Sequence, residues 1–123
     1  MAKKAKASES ENLANFISEL AIEKKATDIK ILDLRKLTPM TDFFIVCSAS
    51  SDVQVKAIAD YIIGEAKKAG QRPWHNEGYS NRSWILLDFV DVVVHVFLNE
   101  TRRFYNLEGL WGDAEIKTIK EIR

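Results

Sequence analysis

Residues 83–111 read SWILLDFVDVVVHVFLNETRRFYNLEGLW. Two apolar runs of high β propensity, 84–87 and 92–98, are joined by a short segment carrying Asp88 and Asp91, the pattern of an antiparallel hairpin. An aromatic and basic helix follows. Successive side chains of a strand point to opposite faces, so Val92, Val94 and Val96 share one side while Asp91, Val93, His95 and Phe97 share the other. One side is pure hydrocarbon. The other carries polar groups, with a single imidazole set into a run of valines.

Working outward, residues 71–76 predict a short strand that Pro73 confines to an edge, and residues 77–82, with Gly78, a loop. Upstream, Ser51-Asp52-Val53-Gln54 reads as a capping box, the hydroxyl meeting the third helical amide and the glutamine reaching back. The helix behind it buries Val55, Ile58, Ala59, Ile62, Ile63 and Ala66, sets Lys67 and Lys68 at its negative end and stops at Gly70. Residues 43–47, FFIVC, are too apolar for an edge strand and too short for a helix, which predicts a central strand. Residues 28–34 alternate as a half-buried strand, closed by the polar loop 35–42 with its Pro39. Residues 11–25 place Leu13, Phe16, Ile17, Leu20 and Ala21 on one helical stripe, with Ser8 or Ser10 available as a cap. Past Trp111, Ile116, Ile119 and Ile122 recur every third residue, consistent with an amphipathic turn or with no ordered element.

A strand, a capped helix and another strand imply a right-handed crossover, so part of the sheet is parallel while the hairpin is antiparallel. The expected class is α/β (α+β): a mixed five-stranded sheet with three flanking helices. The chain has 123 residues, 46% of them hydrophobic and 29% charged, which is the range of one soluble domain with one core. Residues 1–10 read as a flexible tail, 11–112 as the domain and 113–123 as a charged extension. No apolar run approaches the roughly 20 residues of a spanning helix, and the basic N-terminus lacks the apolar segment of a secretory signal. Cys47 is the only cysteine, which excludes an internal disulfide and fits a reducing, cytoplasmic setting. The formal net charge is zero, so nothing global draws the chain to free nucleic acid or a membrane.

Four kinds of chemistry merit weighing. Asp88, Asp91 and His95 are ligand types, with His75 a distant fourth, but Asp91 and His95 stand about 13 Å apart along a strand, so no metal site is expected. Cys47 or Ser48 with His75 or His95 as base would be a nucleophile pair, yet no glycine-rich oxyanion loop accompanies them and Cys47 reads as a small core residue. The serines of 48–52 at a helix start could hold an anion, but Asp52 opposes one and capping accounts for them. What remains is an interface. Trp84, His95, Arg102, Arg103, Tyr105, Glu108 and Trp111 are residue types that dominate protein contacts, and Trp84, beginning a strand beside a loop, leads them. Phe104, Leu107, Leu110 and Trp111 fall on one helical face and read mostly as core, and His95 reads equally as a buried imidazole.

Asp88-Phe89-Val90-Asp91-Val92-Val93-Val94-His95-Val96, followed by Arg103-Phe104-Tyr105-Asn106-Leu107-Glu108 and Leu110-Trp111, resembles the signature of the ribosomal silencing factor family, RsfS, also called Iojap or YbeB. Thr41-Asp42-Phe43-Phe44-Ile45-Val46-Cys47-Ser48 with Ala57-Ile58-Ala59-Asp60 resembles its earlier block, and the likeness covers about residues 11–112. Many members carry glycine where this chain has Val90. Valine there predicts a more extended bend than the positive-φ turn glycine permits.

The resemblance implies a nucleotidyltransferase-like fold without that activity. Such enzymes use a Gly-Ser loop and two carboxylates one residue apart, whereas Asp88 and Asp91 are three apart and no Gly-Ser occurs. It implies a non-enzymatic protein, without cofactor or metal, that binds the large ribosomal subunit through large-subunit ribosomal protein fourteen. By blocking the small subunit sterically it would repress translation when nutrients are short. Trp84 is then the expected apolar anchor at the sheet edge, and Asp88 and Asp91 meet basic side chains. His95, Arg103, Tyr105, Glu108 and Trp111 complete the motif, some touching the partner and others fixing the last helix. An exposed apolar surface also points to a homodimer. The alternative is a nucleotide-dependent enzyme with a pocket near residues 48–52 and Asp91.

Overall fold

A computed structural model describes the backbone of residues 2–120 and the side chains of residues 9–120. The elements run α1 (Ala2–Glu23), β1 (Thr27–Asp33), β2 (Phe43–Ala49), α2 (Asp52–Lys68), β3 (His75–Glu77), β4 (Trp84–Asp88), β5 (Val92–Leu98), α3 (Asn99–Tyr105), α4 (Leu107–Leu110) and β6 (Glu115–Thr118). They form one mixed sheet in the order β3-β4-β5-β2-β1-β6. The fold is the expected mixed α/β class, and β2 lies inside the sheet with β3 at its edge. The parallel pair is β2 with β5. After α2 the chain runs to the far edge as β3 and returns through β4 before β5 docks on β2.

The alternation of β5 divides the molecule. Val92, Val94 and Val96 join Ile29, Ile45 and Cys47 beneath α1 and α2, whose Ile17, Leu20, Val55, Ile58 and Ile62 complete the main core. On the opposite face Phe97 packs with Leu32, Leu34, Val46 and Leu107, flanked by Phe44, Trp84, Trp111 and Ala114. The last helices and the segment after them cover only part of this second face.

Several expectations need correction. Among the described residues there are six strands and four helices, not five and three. The sixth strand comes from the charged extension: β6 pairs antiparallel with β1, so residues 115–118 form neither a helical turn nor a disordered end; Ile122 lies outside the described residues. Helix α1 begins at Ala2 rather than Glu11, so the backbone of residues 2–10 is helical. Ser10 is no cap. It is buried within the helix, and its hydroxyl donates to Asp42 Oδ2 at 2.7 Å; the Ser8 side chain lies outside the described residues. The cap of α2 is half of what was expected. Ser51 Oγ accepts from the Gln54 amide at 3.2 Å, but the Gln54 side chain donates to the Lys24 carbonyl at 2.7 Å, tying α2 to the end of α1.

The hairpin tip departs most. Val90 has φ +75°, and the Asp91 amide donates to the Phe89 carbonyl at 3.0 Å across it. An i to i+2 bond over a residue at positive φ is the rare, strained form of γ-turn. Asp88 supports it, its carboxylate accepting from the Val90 amide at 2.7 Å. The bend is therefore tight, and valine occupies the conformation that glycine would take without cost.

Candidate partner-binding surface

On the uncovered part of the second face the sheet floors an apolar groove of about 490 Å³. Leu86, Val93, His95 and Phe44 project into it from β4, β5 and β2, and the walls come from elsewhere in the chain. Thr38, Met40 and Thr41 arrive from the β1–β2 loop, Trp74 from the approach to β3, Val90 from the hairpin tip and Trp111 from the end of α4. Met40 is 84% exposed, Trp74 76% and Val90 55%. Large apolar side chains held in solvent around a shared apolar floor make a contiguous apolar patch, and such a patch, unlike a single exposed residue, marks an interaction surface.

His95 is the polar centre of this face. It is 3% exposed, and burial pushes its pKa down to about 3, so it is the neutral imidazole. Its Nδ1 accepts from the indole Nε1–H of Trp84 at 3.1 Å, which places the proton on Nε2. That atom has no hydrogen-bond partner among the described residues; the Phe44 ring stands edge-on with centroids 4.4 Å apart. Trp84 in turn packs on Phe97 and Tyr105, each with centroids at 4.8 Å. The indole is a half-buried strut that fixes the imidazole and lies behind the groove. Gly78 makes this possible: it has φ +96°, and a Cβ there would fall 2.0 Å from the Trp84 carbonyl oxygen.

Of the residues singled out from sequence, the groove gathers Asp88, His95 and Trp111, with Trp84 and Tyr105 as support. Asp91 does not line it; its carbonyl accepts from the Asp42 and Phe43 amides and anchors the turn to β2. Arg103 and Glu108 stand at the far end of the sheet with Arg102, whose Nε and Nη2 donate to Glu108 Oε2 at 3.1 and 2.7 Å. Phe104 and Leu110 are not core: they are 80% and 74% exposed. The helix breaks between them, Asn106 adopting φ +50°, so the single apolar face expected over 104–111 does not form. Sequence reading passed over Met40 and Trp74. The one available signal was a large apolar residue directly after proline in a polar loop, at Pro39-Met40 and Pro73-Trp74.

The enzymatic alternatives lack geometry. Cys47 is fully buried and its thiol is pushed up to about 12 by burial, the wrong direction for a nucleophile. Ser48 and Asp91 share no pocket: Ser48 pairs with Phe97 and Phe43 with Val92, so they sit at opposite ends of the strands, about 20 Å apart. Among the described residues no three His, Cys, Asp or Glu side chains gather as a metal site, and no helix is long and apolar enough to cross a membrane.

Residues 7–123 match the family described as ribosomal silencing factor during starvation. The chain belongs to that family. It is 44% identical to the ribosomal silencing factor RsfS of Bacillus subtilis over 97 residues, 79% of this chain and 82% of that one. A crystal structure of a protein from Chromobacterium violaceum superposes with a TM-score of 0.76 at 39% identity, covering 85% of each chain. More distantly, the chain is 30% identical over 100 residues to the mouse protein named mitochondrial assembly of ribosomal large subunit protein 1, covering 79% of this chain and 44% of that one. The silencing-factor blocks at 41–48, 88–96, 103–108 and 110–111 thus map onto β2, the hairpin and the last two helices, which frame the groove and its support, while the block at 57–60 lies in α2 over the main core on the opposite face.

Proposed function

We propose that this protein silences ribosomes by occupying space: it docks large-subunit ribosomal protein fourteen in the apolar groove of the second sheet face and holds its own bulk where the small subunit must approach. The observation that carries this reading is the open groove itself, in a member of the silencing-factor family. No covalent step is involved, and the reading needs neither cofactor nor metal. Met40, Trp74 and Val90 supply exposed area to an interface in which a few large side chains dominate affinity. Asp88 at the rim answers basic side chains on the partner, and the Trp84–His95 pair keeps the floor rigid. A standard interface buries roughly 1,600 Å² in total, which a domain of this size can provide. The site of action would be the cytoplasm, where subunits join.

The test is co-sedimentation of the purified protein with isolated large subunits. Trp84→Glu is a poor probe, because the indole is part of the internal packing. Trp74→Glu changes an exposed side chain, and it is expected to leave the fold intact while weakening binding at least about tenfold. Unchanged binding by this variant would place the docking surface elsewhere. Failure of the wild-type protein to travel with large subunits would end the reading altogether.

A further inference from the structure

The second face carries another recess, separated from the groove by Val46 and the cluster around Phe97 and Leu107. It lies beyond the C-terminal ends of β2 and β5. From these adjacent parallel strands the chain departs in opposite senses, β2 into α2 over the main core and β5 into α3 over the second face. Such a divergence opens a crevice at strand ends, the place where open α/β sheets bind ligands. Here the crevice is a polar cleft of about 410 Å³ lined by Thr27, Lys30, Ser48, Asn99, Arg102 and Arg103, together with Asp28, Asn106 and Glu108.

Arg102 sets its chemistry. The residue is 8% exposed, and a buried guanidinium is costly unless its donors are met. Nε and Nη2 reach Glu108, and Nη1 donates to Ser48 Oγ at 3.0 Å. Three of the five N–H donors of an arginine are thereby engaged, and two have no acceptor among the described residues. Glu108 neutralises this one cation. Lys30 and Arg103 form no ion pair among the described residues, and Asp28 is the remaining carboxylate, so the cleft keeps one net positive charge. A bulge between Thr27 and Lys30, with Asp28 at φ +51°, shifts the register of β1 by one residue. That shift turns Thr27 to the same face as Lys30 and Ser48, where its hydroxyl donates to the Ser48 carbonyl at 3.0 Å.

We infer that this cleft binds a small phosphate dianion, free or as a monoester. The Thr27 and Ser48 hydroxyls donate to each other's carbonyls, so the donors left for a ligand are guanidinium, ammonium and side-chain amide, a mixed set that suits a tetrahedral anion with several acceptor oxygens better than a flat carboxylate that one fork would satisfy. The volume is within the range of small-molecule sites. The inference is independent of the docking groove.

Isothermal titration of the full-length protein with inorganic phosphate, and separately with adenosine monophosphate, at constant ionic strength tests it. Saturable binding in either arm is expected, and the arm that binds tells free phosphate from ester. Arg103→Ser, an exposed change, and Lys30→Ser should each weaken it about tenfold, the scale of one charged hydrogen bond. Trp74→Glu should leave it unchanged, which separates this site from the groove. No saturable heat with either compound at millimolar concentration, or equal affinity in both serine variants with the fold retained, would overturn the assignment.

Discussion

A valine at φ +75° carries a cost that glycine in the same turn would not. Left-handed backbone costs an L-residue about 1–2 kcal/mol, and glycine loses about 0.5–1 kcal/mol more chain entropy on folding. Because Val90 is more than half exposed, little burial is lost with its side chain. Val90→Gly is therefore expected to raise stability by about 1 kcal/mol, read as a higher urea midpoint at constant slope; an equal or lower midpoint would show the turn is unstrained. His95 makes a second prediction. Its folded pKa of about 3 lies below that of the unfolded chain, about 6.5, so the unfolded state takes up the proton first. The contribution is complete above pH 6.5 and is lost as pH falls towards 3, about 2 kcal/mol having gone by pH 5. Asp33 is lowered by its hydrogen bonds to Arg35. Burial alone would raise Glu108, but its bonds from Arg102 outweigh this, so neither carboxylate enters that window. His95→Gln should flatten the profile between pH 6.5 and 5 in denaturant titrations, and an unchanged slope would mean another group titrates there.

At the scale of elements, what was legible depended on periodicity. The hairpin, the central β2 and helix α2 each carry a strong apolar pattern, and each formed where the pattern placed it. Strand β6 carries none: all four of its residues are exposed, and it exists because β1 offers an edge. The early start of α1 was hidden by lysines and serines without a stripe. Residues 104–111 carry a helical spacing that runs across Asn106, where the backbone turns left-handed and α3 ends. The cap of α2 combines a correct and an incorrect part, and mutation separates them. Ser51→Ala should cost about 1 kcal/mol. Gln54→Ala leaves that cap and removes the tie to Lys24, so its effect should be faster amide exchange at the junction of α1 and β1. Equal exchange in wild type and variant would show that the tie does not hold the two helices together.

For the whole molecule, the motif residues proved easier to find than the surface. Asp88, His95 and Trp111 were named from sequence, but Met40 and Trp74 stand 34 residues apart in loops and meet only because β3 folds back to the far side of β4. No local pattern encodes that meeting. If the groove also joins two copies of this chain, dimerisation and docking exclude each other. Light scattering should then show dimer giving way to a one-to-one complex as the ribosomal protein is added, with Trp74→Glu monomeric throughout. A species containing both the dimer and the ribosomal protein would reject the shared surface.

The central parallel pairing has a consequence for how the protein is made. Strand β2 is complete at Ala49, and its partner β5 only at Leu98, so at translation speeds of about 5–20 residues per second its apolar backbone edge waits several seconds for its neighbour. During that interval FFIVCSA is a hydrophobic, uncharged segment attached to a working ribosome. Until the last strands emerge, β2 is therefore the stretch of the nascent chain most open to aggregation.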